Sequence, residues 1–204
     1  MNIMISWQEY RTRTRNFLNR YFERPAARLL EKIGLSPNNV TLIGLILSGV
    51  TAYVISFGEF FTGSILLILG STLDMADGAL ARLQNRATAT GSLLDSVADR
   101  TSEAIIFMGL LLFYLESHSA LEVLLIFFAL TGSFMVSYMR AKGESLGVHS
   151  TVGVMTRPER VLTLAIGLLT AQLLIALTII ALLSSFTALH RFWHIRGELA
   201  KDSN

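Results

Sequence analysis

Cysteine is absent from the 204 residues, which excludes disulfides and thiolate metal sites. Charge is scarce as well. Asp, Glu, Lys and Arg make up 16% of the chain against 52% hydrophobic residues, and the mean hydropathy is +0.53. A soluble domain carries about 25% charged residues, so this surface is not built for water on all sides. The net charge of +2 is too small to suggest a nucleic-acid partner. No cleavable signal peptide is expected, because the first 30 residues are rich in arginine and lack an apolar core segment.

What is present instead is apolar sequence in long blocks. No charge falls in residues 33–58, 60–73, 104–115, 123–139 or 161–190. A helix needs about 20 mostly apolar residues to cross the hydrocarbon core. The blocks predict spans over residues 40–57, 60–82, 92–115 and 121–140, then two more that share residues 161–190. Pro158 opens the fifth span, since proline is tolerated at the first helical position. The turn between the fifth and sixth is expected near Ala171-Gln172. Before the first span, Arg11, Arg13, Arg15, Arg20, Arg24, Arg28 and Lys32 alternate with Trp7, Phe17, Leu18, Tyr21, Phe22, Leu29 and Leu30. That mixture predicts amphipathic helix on the bilayer surface, broken near Pro25 and ended by Gly34 and Pro37.

The expected fold is therefore all-α and integral to the membrane: a six-transmembrane-helix bundle with an N-terminal amphipathic interfacial helix. Its divisions are residues 1–36 (interfacial), 37–197 (membrane bundle) and 198–204 (cytoplasmic tail), with no internal repeat. With the N-terminus inside, the inner segments hold seven, three, four and three basic residues in turn, which is every one of the 17 Lys and Arg. The outer turns carry only Glu59, Glu116 and Glu122. This is the positive-inside asymmetry, and it puts both termini on the cytoplasmic side of a multi-pass protein.

Charges within spans are costly and call for a reason. The second span ends Asp74-Met75-Ala76-Asp77-Gly78-Ala79-Leu80-Ala81-Arg82, and the third begins Gly91-Ser92-Leu93-Leu94-Asp95-Ser96-Val97-Ala98-Asp99. Spacings of three and four put each aspartate pair on one helix face. The short connection makes the two helices antiparallel neighbours, so four carboxylates converge near the inner boundary. An all-oxygen donor set suits a hard cation such as Mg²⁺, and four carboxylates can bridge two such ions, as in phosphoryl displacement. Gly78 and Ala81 lie on the same face and leave room for a ligand. Glu103, one turn beyond Asp99, can orient Asp99 or pair with Arg100; the sequence leaves both open.

The pattern Asp-x2-Asp-Gly-x2-Ala-Arg-x8-Gly-x3-Asp-x3-Asp resembles the signature of the CDP-alcohol phosphotransferases, and residues 74–99 match it at every fixed position. Eight such residues coincide by chance on the order of once in 10¹⁰ starts. The resemblance implies that Asp74, Asp77, Asp95 and Asp99 hold Mg²⁺ or Mn²⁺, two ions in all, with Asp99 also the general base. It implies contacts to the CDP donor from Asp77, Gly78, Ala81, Arg82 and Thr88. Pro37-Asn38-Asn39-Val40-Thr41 resembles the family's turn before the first span, which adds Asn38, Asn39, Val40 and Thr41 to the donor site. Ser137-Tyr138-Met139-Arg140-Ala141 and Arg157-Pro158-Glu159-Arg160 resemble the subgroup that uses an inositol phosphate acceptor. Arg140, Arg157, Arg160 and Arg191 are then the acceptor-phosphate residues, because a guanidinium donates two parallel hydrogen bonds to a phosphomonoester. The implied partners are a CDP-linked lipid, a phosphorylated polyol, the bilayer and a second copy of the chain in a homodimer.

Two alternative functions fit parts of this pattern. Within the class, a phosphatidylglycerophosphate synthase would use glycerol phosphate. From another class, a divalent-cation transport protein would also bury carboxylates, but an ion path needs polar residues in the outer halves of the spans. Residues 62–68 and 107–115 are almost wholly apolar.

Overall fold

A computed structural model describes residues 23–84, 86–150 and 152–202, apart from the side chains of Arg24 and Asp202. Among them are seven α-helices and no strand: α1 (Arg24–Lys32), α2 (Pro37–Ser56), α3 (Phe60–Leu83), α4 (Ala89–Glu116), α5 (Ala120–Ser145), α6 (Arg157–Leu169) and α7 (Leu173–Asp202). Four of these, α2, α3, α5 and α7, are long and apolar enough to cross a membrane. α4 has the length but carries the acidic cluster in its first half, and the 13 residues of α6 make about 20 Å of helix. The expected surface segment lies outside the described residues as far as Phe22; from Glu23 it is helical, and Pro25 lies in the first turn of α1.

The helix ends follow local chemistry. Gly34, at φ +78°, closes α1: its N–H bonds to the Glu31 carbonyl at 2.9 Å and the Leu35 N–H to that of Leu30 at 3.1 Å. This is the Schellman arrangement, and it needs a left-handed residue where glycine is best tolerated. Ser36 then accepts from the Asn39 N–H at 3.3 Å, and Pro37 takes the first position of α2. The helix therefore starts three residues before the expected span, and residues 38–41 form its first turn, not a turn that precedes it. Between α6 and α7 the same Schellman bonding runs from Ala171 and Gln172 to Leu168 and Gly167. The left-handed residue there is Ala171, at φ +56°, which costs about 1 kcal/mol more than glycine would. The break falls where the sequence placed it. α7 does not stop near His190 but continues to Asp202.

The helices group into two compact units. Unit 1 comprises residues up to 47 and residues 69–102. Its core is Ala27 and Leu30 of α1, Val40 of α2, and Ala76, Ala79 and Leu80 of α3. Gln84 adds a hydrogen bond to the Leu35 carbonyl at 3.3 Å. Unit 2 comprises residues 48–68 and those from 103 onward. Ile55, Leu110, Leu168, Leu177 and Ile180 are its most deeply buried aliphatic side chains, and α7 packs against both α5 and α6. Small residues permit close approach, as membrane helices require. A methyl group at Gly109 would collide with the Ala52 carbonyl, and one at Gly167 with Ala176. Ser64, fully buried, donates to the Ala165 carbonyl at 2.9 Å and so links α3 to α6.

Candidate active site

In unit 1, α3 presents Asp74 and Asp77 and α4 presents Asp95 and Asp99. Asp74, Asp95 and Asp99 are half-buried, and each offers a carboxylate oxygen within 4.8 Å of the others. Oxygens on opposite sides of one divalent ion, bound at ~2.1–2.4 Å, lie ~4.2–4.8 Å apart, so the three residues fit a single hard cation. α3 ends at Leu83 and α4 begins at Ala89, with Thr88 immediately before it. The Thr88 Oγ1 accepts the Gly91 N–H at 3.0 Å, and its carbonyl accepts the Ser92 N–H at 3.0 Å. Thr88 is thereby the N-cap of α4.

Asp77 is outside that three-residue grouping but lies within electrostatic reach of Asp74 and Asp95. It is 4% exposed and accepts the Thr41 hydroxyl at 2.6 Å, the shorter of two contacts made by that hydroxyl, the other being the Pro37 carbonyl at 3.1 Å. The first turn of α2 is thereby tied to the acidic end of α3. Asn38 faces Gly91, at which an added methyl group would come within 3.8 Å of its Oδ1. Gly78 leaves space beside Arg82, whose exposed guanidinium reaches Glu23 at 3.4 Å. Arg100 donates to the Ser96 carbonyl at 2.5 Å and stays 3.8 Å from Asp99, too far for a hydrogen bond. Arg82 thus pairs with Glu23, and Arg100 forms a long ion pair with Asp99 at the edge of the cluster.

In unit 2 the four arginines have separate settings. Arg160 is 3% exposed and forms a two-point pair with Glu103, at 2.7 Å from Nε and 2.9 Å from the second terminal nitrogen. That answers the question about Glu103: its partner is Arg160. Arg157, half-buried, is the first residue of α6, whose Glu159 accepts the Thr156 N–H at 2.9 Å. Arg140 is exposed and paired with Glu144 at 2.9 Å. Arg191 is 4% exposed and donates to the carbonyls of Val152 at 2.9 Å and Val136 at 2.8 Å.

A family model described as CDP-alcohol phosphatidyltransferase matches residues 35–193, which takes in every one of these site residues. The chain belongs to that family. As a CDP-alcohol phosphatidyltransferase it is a membrane enzyme of phospholipid synthesis, and its buried acids need no ion pathway to explain them. It is 32% identical over 191 residues to the archaetidylinositol phosphate synthase of Methanothermobacter thermautotrophicus, spanning 88% of this chain and 94% of that one. It is 36% identical over 198 residues to the phosphatidylinositol phosphate synthase of Streptomyces avermitilis, spanning 87% and 79%. Among solved structures it is similar to the phosphatidylinositol phosphate synthase of Mycobacterium tuberculosis. The form with CDP-DAG bound gives a TM-score of 0.78 at 28% identity, over 85% of this chain and 92% of that one. The complex with manganese and citrate gives 0.77 at 29% identity, over 85% and 88%.

Proposed function

We propose that this transferase moves the phosphatidyl group of CDP-diacylglycerol, or of an equivalent CDP-linked lipid, to inositol phosphate and releases CMP. The observation that carries the chemistry is the meeting of Asp74, Asp95 and Asp99, all signature positions, within one ion's reach. Mg²⁺ or Mn²⁺ held there would withdraw charge from the donor's diphosphate. Asp77, beside Thr41, is the carboxylate available to a second ion. Asp99 takes the proton of the attacking hydroxyl. The new oxygen bond forms at the β-phosphorus, the bond from that phosphorus to the CMP oxygen breaks, and CMP leaves with the electron pair. Asn38, Asn39, Val40, Thr41, Gly78, Ala81, Arg82 and Thr88 line the donor side. The likeness to synthases named for inositol phosphate lipids supports a phosphorylated acceptor.

Arg157 and Arg160 are the acceptor-phosphate residues in this reading, helped by Arg140 and Arg191. The pair with Glu103 engages Nε and one terminal nitrogen of the Arg160 guanidinium and fixes its orientation. Losing a charge-assisted bond costs ~1.5–3 kcal/mol. Arg157→Ala is therefore expected to raise the KM for inositol phosphate by roughly 10–150-fold with the KM for CDP-diacylglycerol unchanged. Arg157→Lys should recover only part of that, because the fork is lost. Steady-state CMP release checks it, with inositol, inositol phosphate, glycerol phosphate and serine as acceptors. Preference for free inositol or serine would overturn the phosphate pocket; preference for glycerol phosphate would keep it and change the alcohol.

The same reading gives six crossings, with the site and both termini on the cytoplasmic side, supported by the placement of all 17 Lys and Arg. Because no native cysteine interferes, single cysteines introduced in the 141–156 segment report its side directly. They are expected to react with an impermeant maleimide only after the membrane is opened. Labelling in sealed, right-side-out cells would contradict this topology.

A further inference from the structure

Two residues one turn apart on α7, Thr187 and Arg191, hold the backbone that leads into α6. Thr187 is fully buried, and its Oγ1 accepts the N–H of Val154 at 3.2 Å and of Met155 at 3.1 Å. Arg191 donates to the Val152 carbonyl at 2.9 Å. The next N–H, of Thr156, goes to Glu159, and the Arg160 N–H returns to the Thr156 carbonyl at 3.1 Å. The segment is also pressed against α7: Gly153, at φ +115°, lies so near Thr187 that an added methyl group would strike its side chain. Residues 152–156 are thus a short strap whose bonds run to α7 on one side and to α6 on the other.

We propose that Thr187 is a positioning residue for the acceptor site. By taking two consecutive amide donors it sets the height and rotation at which α6 begins, and with them the directions of Arg157 and Arg160. The inference rests on the reading of those two arginines as acceptor-phosphate residues. The physical reason is the cost of buried donors without acceptors. A valine at 187 keeps the shape and removes the oxygen, so both amides must find other partners and the strap must move. A misplacement of about 1 Å at a binding group can cost ~10²-fold in rate.

The test compares full-length Thr187→Val and Thr187→Ser with the native enzyme in one membrane preparation. Both KM values, kcat and the thermal midpoint are measured. Thr187→Val is expected to raise the acceptor KM by about 10–100-fold with the donor KM unchanged. Thr187→Ser, which keeps the hydroxyl, should restore most of the loss even if its midpoint falls. An unchanged acceptor KM in Thr187→Val, or an equal rise in both KM values, overturns the proposal. If the valine variant does not fold, the same split in Thr187→Ala decides. Should the native enzyme prefer an unphosphorylated alcohol, the reading of the arginines fails, and the KM split measured with that alcohol still settles the role of Thr187.

Discussion

Asp99→Asn is expected to lower kcat by about 10²–10⁴-fold at saturating Mg²⁺, the range removed when a general base is lost. Asparagine keeps the size of the side chain and can still offer an oxygen, but it cannot accept the proton of the attacking hydroxyl. Asp74 and Asp95 remain within one ion's reach of each other, so donor binding should survive in large part. Asp74→Asn is expected to behave differently. It removes a charge from the cation site and should weaken metal and donor binding together, raising the Mg²⁺ concentration needed for half-maximal rate. Titrating Mg²⁺ against initial rates of CMP release separates the two patterns. An Asp99→Asn enzyme that keeps near-native kcat would assign the base elsewhere.

The second large effect is expected on stability, at the pair between Arg160 and Glu103. Both side chains are well buried, at 3% and 13% exposure, and the pairing is two-pronged. Removing one member leaves the other charge buried without its partner, a change that costs ~3–5 kcal/mol, where an exposed pair would cost under ~1 kcal/mol. In a chain of this size that is a fall of roughly 10 °C in the thermal midpoint. Glu103→Ala and Arg160→Ala should each show it in detergent, and the double variant should be less destabilised than the sum of the two. Arg140→Ala is the comparison, since its pair with Glu144 is exposed and its midpoint should barely move. Additive losses in the double variant would show that the pair does not hold α6 to α4.

Much of this was legible in the sequence because the signals were local. The boundaries of α3, expected at 60–82 and found at Phe60–Leu83, follow from Glu59 and Arg82 flanking an apolar run. The meeting of α3 with α4 followed from the short connection, and three signature aspartates are brought together as their spacing required. Where expectation and structure differ, the deciding contact is remote in sequence or the signal is weak. Thr41 lies 36 residues from Asp77, so no spacing rule announces their hydrogen bond. Glu103 meets Arg160 across 57 residues, although Arg100 sits three positions away. The turn between α6 and α7, by contrast, lies at Ala171-Gln172 as expected, although alanine and not the usual glycine takes the left-handed position. Arg191 was placed beside the acceptor by its position at the end of the sixth span; its bonds to the Val152 and Val136 carbonyls are remote in sequence and depend on how α7 crosses α5.

The product lipid reports the proposed reaction directly. Purified enzyme in vesicles is given CDP-diacylglycerol, Mg²⁺ and inositol phosphate, and the lipids are examined by mass spectrometry. The expected result is a phosphatidylinositol phosphate formed in equal amount to CMP, absent when the metal is chelated and strongly reduced in Asp99→Asn. CMP formed without that lipid, or a lipid product that persists without divalent metal, would contradict it.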